Sequence, residues 1–118
     1  MILVGIGGAL GAASRFLIGN RIVKKTRSTF PFATFYINTA GSLLLGILTG
    51  MRLQDMIPSW SWCLLGIGFC GAFTTFSTFG YETVHLFLEK KYKIAILYLA
   101  SSTVFCTVLA LFGIQIIV

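Results

Sequence analysis

Four long apolar stretches separated by short polar ones organise this sequence: Ile2 to Ile18, about Ala33 to Met51, about Trp60 to Leu88, and Ile94 to Val118. A helix that crosses a bilayer takes about 20 apolar residues. The pattern therefore predicts a single all-α domain over 1–118, with membrane spans at 2–19, 33–51, 60–88 and 94–117, and no room for a second domain. The first stretch is read as a retained helix, because a secretory signal needs basic residues ahead of its apolar core and the first here is Arg15. Arg21, Lys24, Lys25, Arg27 and Phe30-Pro31-Phe32 then form a basic loop with aromatic rings suited to a membrane interface. Arg52, Gln54, Asp55 and Pro58 close the second span, and Trp60 and Trp62 mark the next interface.

The third stretch is too long to cross simply. As one helix at about 1.5 Å per residue, 60–88 would reach roughly 43 Å, against a hydrocarbon core of about 30 Å. It must tilt strongly, overhang or break. A break is expected within 71–78, where Gly66, Gly68 and Gly71 lead into Thr74-Thr75-Phe76-Ser77-Thr78-Phe79-Gly80. Glycine and β-branched residues weaken a helix, and hydroxyls can satisfy the backbone groups that a break frees. Half-helix ends would then direct free N–H groups and carbonyls at the midplane, as in transporters that hold ions there. The alternative is that the small residues only let helices pack closely.

Composition sharpens the class. With 57% of residues apolar and only 10% charged, the chain cannot coat a water-soluble globule. The net charge of +6 points to anionic headgroups or an anion to attract rather than to nucleic acid. Lys and Arg number four in the first loop and three in the third, against one, Arg52, in the second. The positive-inside rule then places both termini outside the cytoplasm. Cys63, Cys70 and Cys106 sit in apolar stretches without CxxC spacing or a nearby His, and are read as small core residues. The single His85 has no nucleophile at a diagnostic spacing, and no phosphate-cradling loop appears, so an enzyme is not expected.

Three polar residues are costly in a bilayer. Arg15 shares a helical face with Gly8 and Gly11, so it faces either a neighbouring helix or a vestibule, or snorkels to the headgroups. Asn38, with Ser42 one turn on, is either interhelical glue or a ligand donor. Glu82 could meet Arg15, His85 or a lysine, and the sequence fixes no partner for it. Gly7-xxx-Gly11 and Gly46-xxx-Gly50 read as close-packing spacings.

These residues resemble the small CrcB/Fluc fluoride channel family along almost the whole chain: Gly7-Gly8 to Arg15, Asn38 with Gly41-Ser42, and Gly68-Phe69-Cys70-Gly71 through Thr74 to Phe79. The resemblance implies an all-α integral membrane protein of four transmembrane helices, the third broken, that dimerises antiparallel with two pores along the interface. It implies fluoride export from the bacterial cytoplasm across the cell membrane by passive electrodiffusion, and a sodium ion at the dimer centre. It places Asn38, Thr75, Phe76, Ser77, Phe79, Tyr98 and Ser102 in the pore and Arg15 in the vestibule. The sodium would be held by main-chain carbonyls of Gly71 and Thr74. The chain departs from the family pattern at Cys106, one turn after Ser102, where a second hydroxyl is expected.

The chemistry is compatible with that role. Fluoride is small and strongly hydrated, so a low-dielectric path must replace its water with short hydrogen bonds from amides and hydroxyls. Phe76 and Phe79, at i and i+3, would line one face, and ring edges carry positive charge that an anion can contact. In the competing reading they pack in a core. A small multidrug exporter would need a carboxylate in its first helix, where this chain has Arg15. A non-conducting structural subunit has no motif in its favour. The seven-to-one charge bias fits one fixed orientation, hence pairing with an oppositely biased homologue, better than an antiparallel homodimer.

Overall fold

The structure, a computed structural model, describes residues 1–25 and 30–118; Arg27 of the basic loop lies outside the described residues. Among the described residues five helical segments follow one another: α1 (Ile2–Lys25), α2 (Phe32–Leu53), α3 (59–73), α4 (Phe76–Leu88) and α5 (Tyr92–Ile117). No strand occurs among the described residues. Taken together, α3 and α4 form the third of four stretches long and apolar enough to cross a membrane.

Helix α1 runs further than the apolar pattern alone suggests. Arg21, Lys24 and Lys25, expected in the loop, form its last turns. Long basic side chains can carry their charge out to the headgroups while the backbone stays helical, and cations are favourable at a helix C-terminus. Pro31 precedes α2 at φ −77°, a value its ring imposes. The turns after α2 and α4 close through Asp55 (φ 54°) and Lys90 (φ 62°), both left-handed.

Two helix pairs are drawn into backbone contact by glycine. A methyl group added at Gly46 of α2 would run into the Ala110 carbonyl of α5, and one at Gly113 of α5 would lie 2.8 Å from the Leu43 carbonyl oxygen. On the other side, Gly7 and Gly11 of α1 rest on the Leu64 and Phe69 carbonyls of α3. In a bilayer, where apolar burial does not drive helices together, such close approach supplies the dispersion contacts that do. Opposite Gly7 and Gly11, α3 is wound as a wide π-helix over Trp62–Cys70, and the Trp62 ring lies over Gly66. A core of Leu86, Ala95 and Tyr98, flanked by Phe30, Phe35, Phe79 and Ile94, fastens α4 to α5.

The third span breaks inside the expected window. Thr74 (φ −77°, ψ 149°) and Thr75 (φ −140°, ψ 114°) are extended between α3 and α4, so the two half-helices meet at a two-residue step.

Candidate ion pathway at the helix break

Asn38 of α2 holds the step in place. Its Oδ1 accepts from the Thr75 N–H at 2.8 Å and its Nδ2 donates to the Thr75 carbonyl at 3.1 Å, so one carboxamide satisfies both groups of one residue. Thr75 in turn caps α4, its Oγ1 accepting from the Thr78 N–H at 3.2 Å and donating to the Thr78 hydroxyl at 3.0 Å. The Thr74 hydroxyl folds back onto the Cys70 carbonyl at 2.8 Å. In an unbroken helix the N–H groups of Thr75 and Thr78 would go to the carbonyls of Gly71 and Thr74. Here both donors are taken by side chains, which releases those two carbonyls from the helical ladder.

Beside the step runs an open groove of about 340 Å³ lined by Asn38, Thr75, Phe76, Phe79, Ser102 and Cys106. Ser42, Thr74, Thr103 and Thr107 complete its polar lining. The Phe76 and Phe79 rings lie 6.2 Å apart at 49°, Phe76 being 86% exposed, whereas Phe79 leans on Tyr98 at 5.0 Å. Two residues expected with them lie elsewhere. Tyr98 is fully buried behind Phe79 with its hydroxyl beside Thr34, and Ser77 is exposed outside the groove lining. The Ser102 hydroxyl is buried in the groove wall without a hydrogen-bond partner. Cys106, where a hydroxyl is expected, does line the groove, flanked by Thr103 and Thr107.

A second cavity of about 210 Å³ lies across the step and takes in Arg15, Asn20, Thr34 and Thr78. Thr75 lines both cavities and is the wall between them. Arg15 therefore faces this second cavity, and its Nε is buried without a hydrogen-bond partner. Glu82 meets none of the partners considered from sequence: it accepts a short hydrogen bond from the Thr34 hydroxyl of α2. His85 instead pairs with Glu89 at 2.9 Å, and Lys91 reaches the same carboxylate at 3.1 Å. The hydrogen bond from Lys91, with the nearby His85, holds the exposed Glu89 carboxyl below its usual range.

Thr34, Thr103 and Thr107 line the two cavities and are residues that sequence reasoning missed. Thr34 lies one turn before Asn38, and that spacing alone marks it as sharing the Asn38 face.

The family described as CrcB-like protein, Camphor Resistance (CrcB), matches residues 2–114. A protein of Bacillus cereus named fluoride-specific ion channel FluC 2 is 44% identical over 114 residues, covering 97% of this chain and 93% of that one. A protein of the same name from Clostridium acetobutylicum is 46% identical over 102 residues, 86% of this chain and 84% of its own. A Listeria monocytogenes protein named fluoride-specific ion channel FluC 1 is 42% identical over 114 residues, 97% and 93% of the two chains. Four stretches able to span a bilayer, together with these relatives, make this a multi-pass protein of the bacterial cell membrane. The chain belongs to the CrcB-like family.

Proposed function

We propose that this chain forms a fluoride-selective channel that lets fluoride leave the cytoplasm passively, along the groove beside the Thr74–Thr75 step. The observation that carries the proposal is the lining itself. An amide, several hydroxyls and two phenyl rings converge on an open groove that holds no carboxylate among its lining residues. Dehydrated fluoride needs short hydrogen bonds from donors of this kind. The second N–H of Asn38 Nδ2 and the unpaired Ser102 hydroxyl are available to supply them. Arg15 adds positive potential at the vestibule, which raises anion occupancy there. Thr75, Phe76 and Phe79 are the other residues assigned to the path. Ser77 and Tyr98 would act from its margins.

The groove is open along one side, and a second subunit in antiparallel orientation would close it. The chain's cationic residues favour a fixed orientation: seven of its Lys and Arg lie between the first and second or the third and fourth apolar stretches, and one between the second and third. The partner is then a homologue of opposite bias, a pairing with which the relatives named FluC 1 and FluC 2 are compatible. A homodimer is the second reading. At the centre of such a dimer, the Gly71 and Thr74 carbonyls released by the break are suitable oxygen ligands for a sodium ion. A cation bound there supplies positive charge near the path and caps the carbonyls.

The test is reconstitution of the purified chain in potassium-loaded liposomes, with valinomycin for charge balance, fluoride efflux read by electrode and chloride as control. Fast fluoride-selective efflux from the chain alone supports the channel as a homodimer. Efflux that appears only with an oppositely biased homologue supports the pair, and no efflux in either case refutes the proposal.

A further inference from the structure

Helix α4 carries both rings of the groove, and its apolar face packs on α5 through Phe79 and Leu86 against Ala95 and Tyr98. Two polar ties attach this segment to α2. Asn38 grips Thr75 at the start of α4, and Thr34, one turn earlier on α2, donates to Glu82, seven residues after Thr75. The residues thus pair in antiparallel order, each tie joining one side chain of α2 to one end of the segment that bears Phe76 and Phe79.

Of the three acidic residues in the chain, Asp55, Glu82 and Glu89, only Glu82 lies inside a span. A carboxylate there is costly and opposes an anion nearby, so its presence calls for a compensating role. The Thr34 hydroxyl that it engages stands at the vestibule wall, beside the hydroxyl of buried Tyr98. Phe79, one turn before Glu82, rests on that same Tyr98 ring. A shift of Glu82 relative to α2 therefore moves Phe79 relative to the groove.

We propose that Glu82 is a positioning residue: its hydrogen bond from Thr34 locks α4 against α2 and sets the Phe79 ring at the groove. This rests on reading the groove as the fluoride path. Acceptance by the side-chain oxygen is what the role demands, and the full negative charge is not needed.

The experiment compares T34V, E82Q, E82A and the T34V/E82A double variant in liposomes and in detergent. E82Q keeps an acceptor and is expected within about twofold of the parent's fluoride flux, while T34V and E82A each lose roughly fivefold, the worth of one ordinary hydrogen bond. Both are expected to raise chloride flux relative to fluoride, a readout that loss of stability alone would not move. The double variant should fall no further than either single one in flux or in melting temperature. The idea is overturned by E82Q falling as far as E82A, by T34V retaining the parent's flux and selectivity, or by additive losses in the double variant. T34V, nearly isosteric, keeps the test decisive if E82A does not fold. The melting comparison reads the tie even if the parent carries no fluoride, which would refute the channel reading instead.

Discussion

Replacing Asn38 separates its clasp on Thr75 from the fluoride contact proposed for it. In Asn38→Ala both bonds to Thr75 are lost, leaving an N–H and a carbonyl without partners at a depth where water is scarce. Each such hydrogen bond contributes about 1 kcal/mol net, and each buried group left unpaired costs about 1–3 kcal/mol. Partial rearrangement of the two-residue step brings the expected loss to about 2–4 kcal/mol. Asn38→Asp behaves differently. A carboxylate can still accept from the Thr75 N–H but confronts the Thr75 carbonyl with a second acceptor, and it puts a negative charge on the groove. Asn38→Asp should therefore melt closer to the parent than Asn38→Ala and yet carry less fluoride. Thermal unfolding in detergent and liposome efflux read the two quantities separately. Parental melting in Asn38→Ala would refute the clasp, and undiminished flux in Asn38→Asp would remove Asn38 from the path.

Phe79→Ile keeps bulk but loses the ring edge and the contact with Tyr98; efflux should fall more than dimer yield on gel filtration, and equal loss would favour simple packing. Gly46→Ala sets a methyl group against the Ala110 carbonyl and should lower stability by about 1–3 kcal/mol in a detergent melt. By contrast, Gly71→Ala and Gly80→Ala meet nothing within 4 Å in the subunit, so the folded monomer should tolerate both; loss of the dimer in either would place that glycine at the subunit interface. The Glu89 carboxyl titrates lower in the folded chain than unfolded, so its pairing with Lys91 and His85 stabilises above the usual carboxylate range and is lost as pH falls through the depressed value. Melting temperature should hold on the neutral side of the usual carboxylate range and fall slightly on its acid side, and Glu89→Gln should reduce that fall.

Much of this architecture is written in periodicity and composition. Apolar run lengths located four spans, and the excess length of 60–88 together with its glycines and hydroxyls located the break, because those signals depend on local backbone cost. The helix ends were less legible: the pattern stops α1 at Gly19 because Arg21, Lys24 and Lys25 are hydrophilic, yet hydrophilic heads on long stems do not end a helix. Tyr98 and Ser77 show a further limit. The family resemblance assigns both to the pore, but in the fold Tyr98 is buried behind Phe79 and Ser77, in the first turn of α4, is exposed outside the groove lining.

The pairings across the break were the least legible, for a reason particular to this fold. Hydrogen bonds within a helix follow from spacing, whereas those that repair a broken helix come from another helix whose register is set elsewhere. Here that register is fixed by Gly46 and Gly113, which bring α2 and α5 into backbone contact, and by Ala95 and Tyr98, which seat α4 on α5. Once α2 and α4 are both referred to α5, Thr34 and Asn38, one turn apart on α2, fall opposite Glu82 and Thr75. The glycine contacts thus determine which side chains can mend the break, although neither glycine lines either cavity. A substitution that widens the α2–α5 spacing should accordingly loosen both ties at once. In a detergent melt, adding Thr34→Val to Gly46→Ala should then cost less than Thr34→Val costs in the parent, and strict additivity would show that the tie is set independently of that spacing.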